Sequence, residues 1–146
     1  MGCQTLFLLS AVCDTGYAGC VIITSKSPRG SKLQTIDKAR RIVEIASDKL
    51  ASDIVLLDTR DICCFADYFV IVSGESARQL GAISDDIAQS LKKAGITSYH
   101  REGTTASGWL LLDYGDVIVH IFSSAEREYY KLDEMWNAAR PLIHMA

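Results

Sequence analysis

The sequence predicts one α/β domain, a single mixed five-stranded sheet with helices packed on it, in the order α-β-β-α-β-β-β-α. Three observations carry the prediction. Apolar residues recur at helical spacing over 36–51 and again over 77–94. Two short runs, the wholly apolar Ile54–Leu57 and the β-branched and aromatic Tyr68–Ser73, follow the first of these stretches. Two more such runs flank Tyr114-Gly115, the pattern of a β-hairpin.

Each element has its own grounds. Thr35 is placed to cap the first helix, with Asp37 in its first turn. Ile36, Ala39, Val43, Ala46 and Leu50 form its apolar stripe, widened by Ile42 and Ile45. Ile54–Leu57 is wholly apolar between Asp53 and Asp58, which suits a strand covered on both faces. Thr59–Ala66 reads as a loop, and Gly74 closes the second strand. Ser76 is placed to cap a second helix with Leu80, Ile83, Ile87, Leu91 and Ala94 on its core face. Gly95 stands where a positive φ ends a helix. Ile96–Arg101 is a third, weaker strand. Trp109–Asp113 and Val117–Phe122 make the hairpin, and Ser124 caps a closing helix that runs through Tyr129 and Tyr130 toward Trp136.

This organisation gives a domain over 33–140, a C-terminal tail at 141–146, and a separate segment at 1–32. Residues 1–25 hold one charged side chain, Asp14, and three of the five cysteines. Leu6–Leu9 is too short for a bilayer span of ~20 residues. It also lacks the preceding Lys or Arg of a signal peptide. Lys26–Lys32 carries Pro, Gly and Ser and reads as a linker. The expectation is a disordered leader or an upstream start, with no membrane contact. The odd cysteine count without a secretion signal suits a reducing cytoplasm.

Charge narrows the partners. Lys26, Arg29, Lys32 and Asp14 all fall in 1–32, so the remainder is nearer −5 than the −3 of the whole chain. An acidic domain disfavours direct nucleic-acid binding, which needs clustered Lys and Arg. Glu102, Asp113, Asp116, Glu126, Glu128, Asp133 and Glu134 crowd the C-terminal part against Arg127 and Lys131, which favours a basic partner.

A turn at Tyr114-Gly115 sets a hairpin register in which Leu112 faces Val117 and Trp109 faces His120. One face is then Leu110, Leu112, Val117 and Val119. The other carries Trp109, Leu111, Asp113, Asp116, Ile118 and His120. Two readings of this second face stand. It is a contact surface with an aromatic anchor ringed by polar groups, or a C-terminal helix covers it with Trp109 and His120 packed beneath. A second copy of the chain is a further candidate occupant.

Nothing specifies an enzyme. There is no G-x-G-x-x-G, no G-x-x-x-x-G-K-[ST] and no G-x-S-x-G. Asp58 with Asp61, and Asp85 with Asp86, do not define a metal site, and His100, His120 and His144 are scattered. No Cys-x-x-Cys or zinc-type Cys/His spacing occurs, and adjacent Cys63 and Cys64 read as small half-buried residues of a turn. Neither catalytic residues nor a metal or cofactor are expected.

Three segments carry a family resemblance. Ser52–Asp58, Ala66–Gly74 and Gly108–Phe122 closely resemble the ribosomal silencing factor family, RsfS, also called Iojap, and Glu126–Trp136 matches its closing helix. The likeness covers about 35 to 137, and its W-x-x-x-D-x-G-D-x-(V/I)-V-H run is long and specific. The resemblance implies a non-catalytic protein that binds the large ribosomal subunit through ribosomal protein L-fourteen. It implies that the bound protein blocks subunit joining and represses translation when nutrients are short. It further implies a nucleotidyltransferase-like fold, which keeps a nucleotidyltransferase-like enzyme or nucleotide-binding protein as the rival reading. The Gly-Ser and Asp-x-Asp metal motif of those enzymes is missing: Ser73-Gly74 is reversed and no Asp-x-Asp occurs. Carried over position by position, the contact residues are Trp109 as anchor, Leu111, Asp113, Tyr114, Gly115, Asp116 and His120, with the two carboxylates meeting basic side chains. The first 32 residues have no counterpart in the family.

Overall fold

The structure, a computed structural model, describes residues 34–146, so the expected leader lies outside the described residues. In chain order the elements are α1 (Thr35–Asp48), β1 (Ser52–Asp58), β2 (Tyr68–Gly74), α2 (Ala77–Lys93) and β3 (His100–Thr104). A 3-10 turn (Thr105–Ser107) leads into β4 (Trp109–Asp113) and β5 (Val117–Ser123). The C-terminal part is α3 (Ser124–Tyr130), α4 (Leu132–Met135) and β6 (Arg140–Met145).

The sheet has six strands in the order β3-β4-β5-β2-β1-β6. Only β2 and β5 run parallel; the other neighbours are antiparallel. A parallel pair needs a crossover, and α2 with the β3–β4 hairpin supplies it. β2 is buried along its whole length, as its unbroken run of apolar residues requires.

Period-two alternation divides the apolar residues into two cores. On one face Ile54, Leu56, Val70, Val72, Leu110, Leu112, Val119 and Ile121 meet Ala39, Ile42, Val43 and Ala46 of α1 and Leu80, Ile83, Ile87 and Leu91 of α2. On the other face Val55, Leu57, Phe69, Ile71, Trp109, Leu111, Ile118 and Phe122 meet Leu132, Trp136 and Ala139. The fold is therefore three layers, with the sheet in the middle.

Several expectations need correction. The sheet is six-stranded, not five-stranded, because residues taken as a tail form β6 antiparallel to β1. Pro141 fits this position because β6 is an edge strand, where an N–H is needed on one side only. Strand β3 begins at His100, four residues later than expected. The cap of α1 is Gln34, and the Thr35 hydroxyl instead donates to Asp116. Leu50 leaves the stripe altogether: α1 ends at Asp48, and Leu50 adopts φ +57° and is 84% exposed. Ser123, not Ser124, caps the closing helix, accepting from the Glu126 N–H. That helix breaks at Lys131, φ +45°, into α3 and α4. The Ser76 cap and the positive φ of Gly95 stand as expected.

The hairpin register is displaced by two residues. Leu112 pairs with Val119, Leu111 with His120, and Trp109 with Phe122. The Tyr114 N–H donates to the Val117 carbonyl at 3.0 Å, so the two turn residues are Gly115 and Asp116. Gly115 supplies the positive φ, +84°, that a tight hairpin turn needs at its first central position. A slip of two preserves the side-chain faces, so the two-faced partition of the hairpin is unaffected.

Candidate partner-binding surface

The residues singled out for partner contact divide into three groups. Trp109, Leu111 and His120 project from β4 and β5 to the face under α3 and α4. Tyr114 projects to the opposite core. Asp113, Gly115 and Asp116 stand half-buried at the turn.

Trp109 is only 8% exposed and His120 4%. The Trp109 ring lies 4.9 Å from Phe122 and 4.8 Å from Tyr130. Its Nε1–H donates to His120 Nδ1 at 3.3 Å. An accepting Nδ1 places the proton of the neutral imidazole on Nε2. Burial, reinforced by Arg127, pushes the His120 pKa down to about 3, so the ring is neutral at pH 7. The covering reading of this face is the one the structure has: the C-terminal segment lies over it. Trp109 is thus a buried ring and not an exposed anchor.

Tyr114 is buried, and its hydroxyl has no hydrogen-bond partner among the described residues. Burial pushes its pKa up to about 12, against the pull of Arg101. Tyr114 packs in one core and Leu111 in the other.

The turn carries the accessible polar groups. Asp113 Oδ1 accepts from the Gly115 N–H at 2.7 Å, a local bond that fixes the turn. Asp116 is engaged by α1: Lys38 Nζ donates to Oδ1 at 2.6 Å and the Thr35 hydroxyl to Oδ2 at 3.1 Å. Of the two carboxylates assigned to a basic partner, Asp116 already has its cation and Asp113 has no ion pair among the described residues. Tyr99, 68% exposed, lays its ring over the turn, where a Cβ on Gly115 would come within 2.8 Å of it. The sequence placed Tyr99 in a weak strand; the Tyr99 N–H donation to the Asp113 carbonyl, which docks it on the hairpin, has no sequence signal.

Of the four carboxylates weighed for chemistry, Asp58, Asp85 and Asp86 are engaged in ion pairs. Arg60 donates to both oxygens of Asp58, at 2.9 and 2.6 Å, and this hydrogen bonding holds the Asp58 carboxyl below its usual range. Asp85 pairs with Arg101 at 2.8 Å and Asp86 with Lys49 at 2.5 Å. Among the described residues no group of three or more His, Cys, Asp or Glu is placed to hold a metal ion. No helix among them is long and apolar enough to cross a membrane.

Residues 32–146 match the family model described as ribosomal silencing factor during starvation. The ribosomal silencing factor RsfS of Bacillus subtilis is 40% identical over 104 residues, covering 68% of this chain and 88% of that protein. A mouse relative, named mitochondrial assembly of ribosomal large subunit protein 1, is 32% identical over 98 residues, covering 65% of this chain and 43% of that protein. A crystal structure of a Chromobacterium violaceum protein superposes with a TM-score of 0.69 at 30% identity, covering 72% of this chain and 88% of that one. On the matched residues and the shared fold, the chain belongs to the ribosomal silencing factor family, RsfS/Iojap.

Proposed function

We propose that this protein docks on the large ribosomal subunit through ribosomal protein L-fourteen, sterically blocks subunit joining in the cytoplasm, and so represses translation under nutrient limitation without catalysing a reaction. The observation that carries the reading is the β4–β5 hairpin. Within a chain of this family, the run from Trp109 to His120 folds into one hairpin whose turn presents Asp113 and Gly115, with the Tyr99 ring laid beside them. Trp109, Leu111, Tyr114 and His120 shape that unit from inside, and Asp116 ties it to α1. Asp113 offers negative charge to a basic protein surface.

Co-sedimentation of the full chain with large ribosomal subunits tests this. Binding by the intact protein is expected, with subunit joining inhibited in the same mixture. Asp113→Asn keeps an oxygen to accept from Gly115 but removes the charge, and is expected to weaken binding without unfolding. Failure of the intact protein to sediment with the subunits sinks the proposal.

A further inference from the structure

Burial of Trp109 leaves a question of which aromatic side chain meets the partner at the end of the hairpin away from the turn. The rings answer it. They run in contact from Trp136 through Phe69 and His120 to Trp109, then to Tyr130 and Tyr129. Every member before Tyr130 is buried, and Tyr129 is 77% exposed. Its ring stands edge-on to Tyr130 at 5.0 Å and 90°, and Tyr130 rests on Trp109 at 4.8 Å. A large aromatic group held along one edge and open to water on the rest offers much contact area for few rotatable bonds.

The charges around it set the partner's chemistry. Arg127 is spent inside the molecule on Asp133, the Ser73 hydroxyl and the Asp53 carbonyl. Lys131 pairs with Glu134 at 3.4 Å. Glu126 and Glu128 therefore flank Tyr129 with no ion pair among the described residues. Two uncompensated carboxylates repel phosphate and attract Lys and Arg.

We infer that the solvent face of α3 docks a basic protein segment of the large subunit, with Tyr129 as its aromatic anchor and buried Trp109 as a positioning residue beneath it. The inference rests on the ribosome-binding reading and adds a second contact to the hairpin turn.

The test sediments wild type, Tyr129→Ala, Tyr129→Phe and a Glu126→Gln, Glu128→Gln double variant with bacterial large subunits at low and high salt. Urea melts of each protein run alongside. Tyr129→Ala is expected to weaken binding roughly tenfold or more with its melt unchanged. Tyr129→Phe retains binding, and the double variant loses most at low salt. Wild-type affinity in Tyr129→Ala overturns the inference while leaving ribosome binding intact. Competition by protein-free ribosomal RNA overturns the assignment to a protein partner. A wild type that does not bind overturns the ribosome-binding reading and this inference with it.

Discussion

Trp109 and His120 are joined by a buried hydrogen bond, Nε1–H to Nδ1 at 3.3 Å, across the diagonal of the β4–β5 hairpin. The bond makes two residues of the family motif part of the second core. Trp109→Ala empties a large volume beneath Tyr130 and is expected to cost about 3–5 kcal/mol of stability. Trp109→Phe keeps most of the packing and loses the donor, for about 1–2 kcal/mol. Urea denaturation measures both. A Trp109→Ala protein as stable as wild type would show that the indole is not core, and any loss of partner binding in that variant is read only beside its melt.

His120 predicts a pH dependence. Its folded pKa lies near 3, below the ordinary 6.5, because burial disfavours the imidazolium. Below pH 6.5 the unfolded chain binds a proton that the folded chain refuses, so stability present above that pH is lost as pH falls toward the folded value. Between about pH 7 and about pH 5, where carboxylates remain mostly ionised, the loss from this one group is about 2 kcal/mol. Urea midpoints at the two pH values measure it, and His120→Gln is expected to flatten the difference. An equal acid loss in that variant assigns the effect elsewhere.

The sequence made visible what depends on periodicity. The stripes of α1 and α2 became their buried faces except at their last residues, Leu50 and Ala94, which lie past the helix ends and are exposed; Ser76 and Gly95 bracket α2, and the two faces of the hairpin survived a two-residue error in register because parity is unchanged by two. Features set by distant packing stayed hidden. β6 depends on β1 lying beside it, and its Pro141 speaks against a strand on local grounds. The cover over Trp109 depends on a left-handed Lys131 that redirects the chain from α3 to α4, a backbone state with no pattern in the residues around it. Trp109 drew notice as the large aromatic of a motif, whereas the exposed aromatics among the described residues are Tyr99 and Tyr129.

Leu50 occupies the position that ends α1, where Ala51 N–H donates to the Ala46 carbonyl and Leu50 N–H to the Ser47 carbonyl. These are the paired bonds of a Schellman ending, which favours Gly at the left-handed residue. Leucine adopts φ +57° there at a steric cost and, being exposed, recovers little by burial. Leu50→Gly is expected to raise stability by about 1 kcal/mol, after the greater chain entropy of glycine is subtracted. A rise in the thermal midpoint checks it; a fall would mean that the leucine side chain contributes contacts that outweigh the strain.

Arg127 holds the C-terminal cover in place and acts on His120 as well. Its Nη1 donates to the Asp53 carbonyl at 2.9 Å and to Ser73 Oγ at 3.1 Å, while Nε and Nη2 reach Asp133 Oδ2 at 3.1 and 2.8 Å. One planar guanidinium thus joins α3, α4 and the ends of β1 and β2, a geometry that a lysine ammonium does not reproduce. Arg127→Lys and Arg127→Ala are both expected to destabilise, the alanine by about 3 kcal/mol, because the Asp53 and Ser73 groups lose their donor. Arg127 is also the charge that reinforces burial in depressing the His120 pKa. Its removal therefore raises that pKa toward 6.5, and the acid limb of the stability curve becomes shallower. Titration of the His120 ring by NMR in Arg127→Lys, which keeps a positive charge, and in Arg127→Ala, which does not, separates the two contributions. A pKa raised in the alanine variant alone identifies charge as the cause, and one raised equally in both identifies loosened packing over the ring.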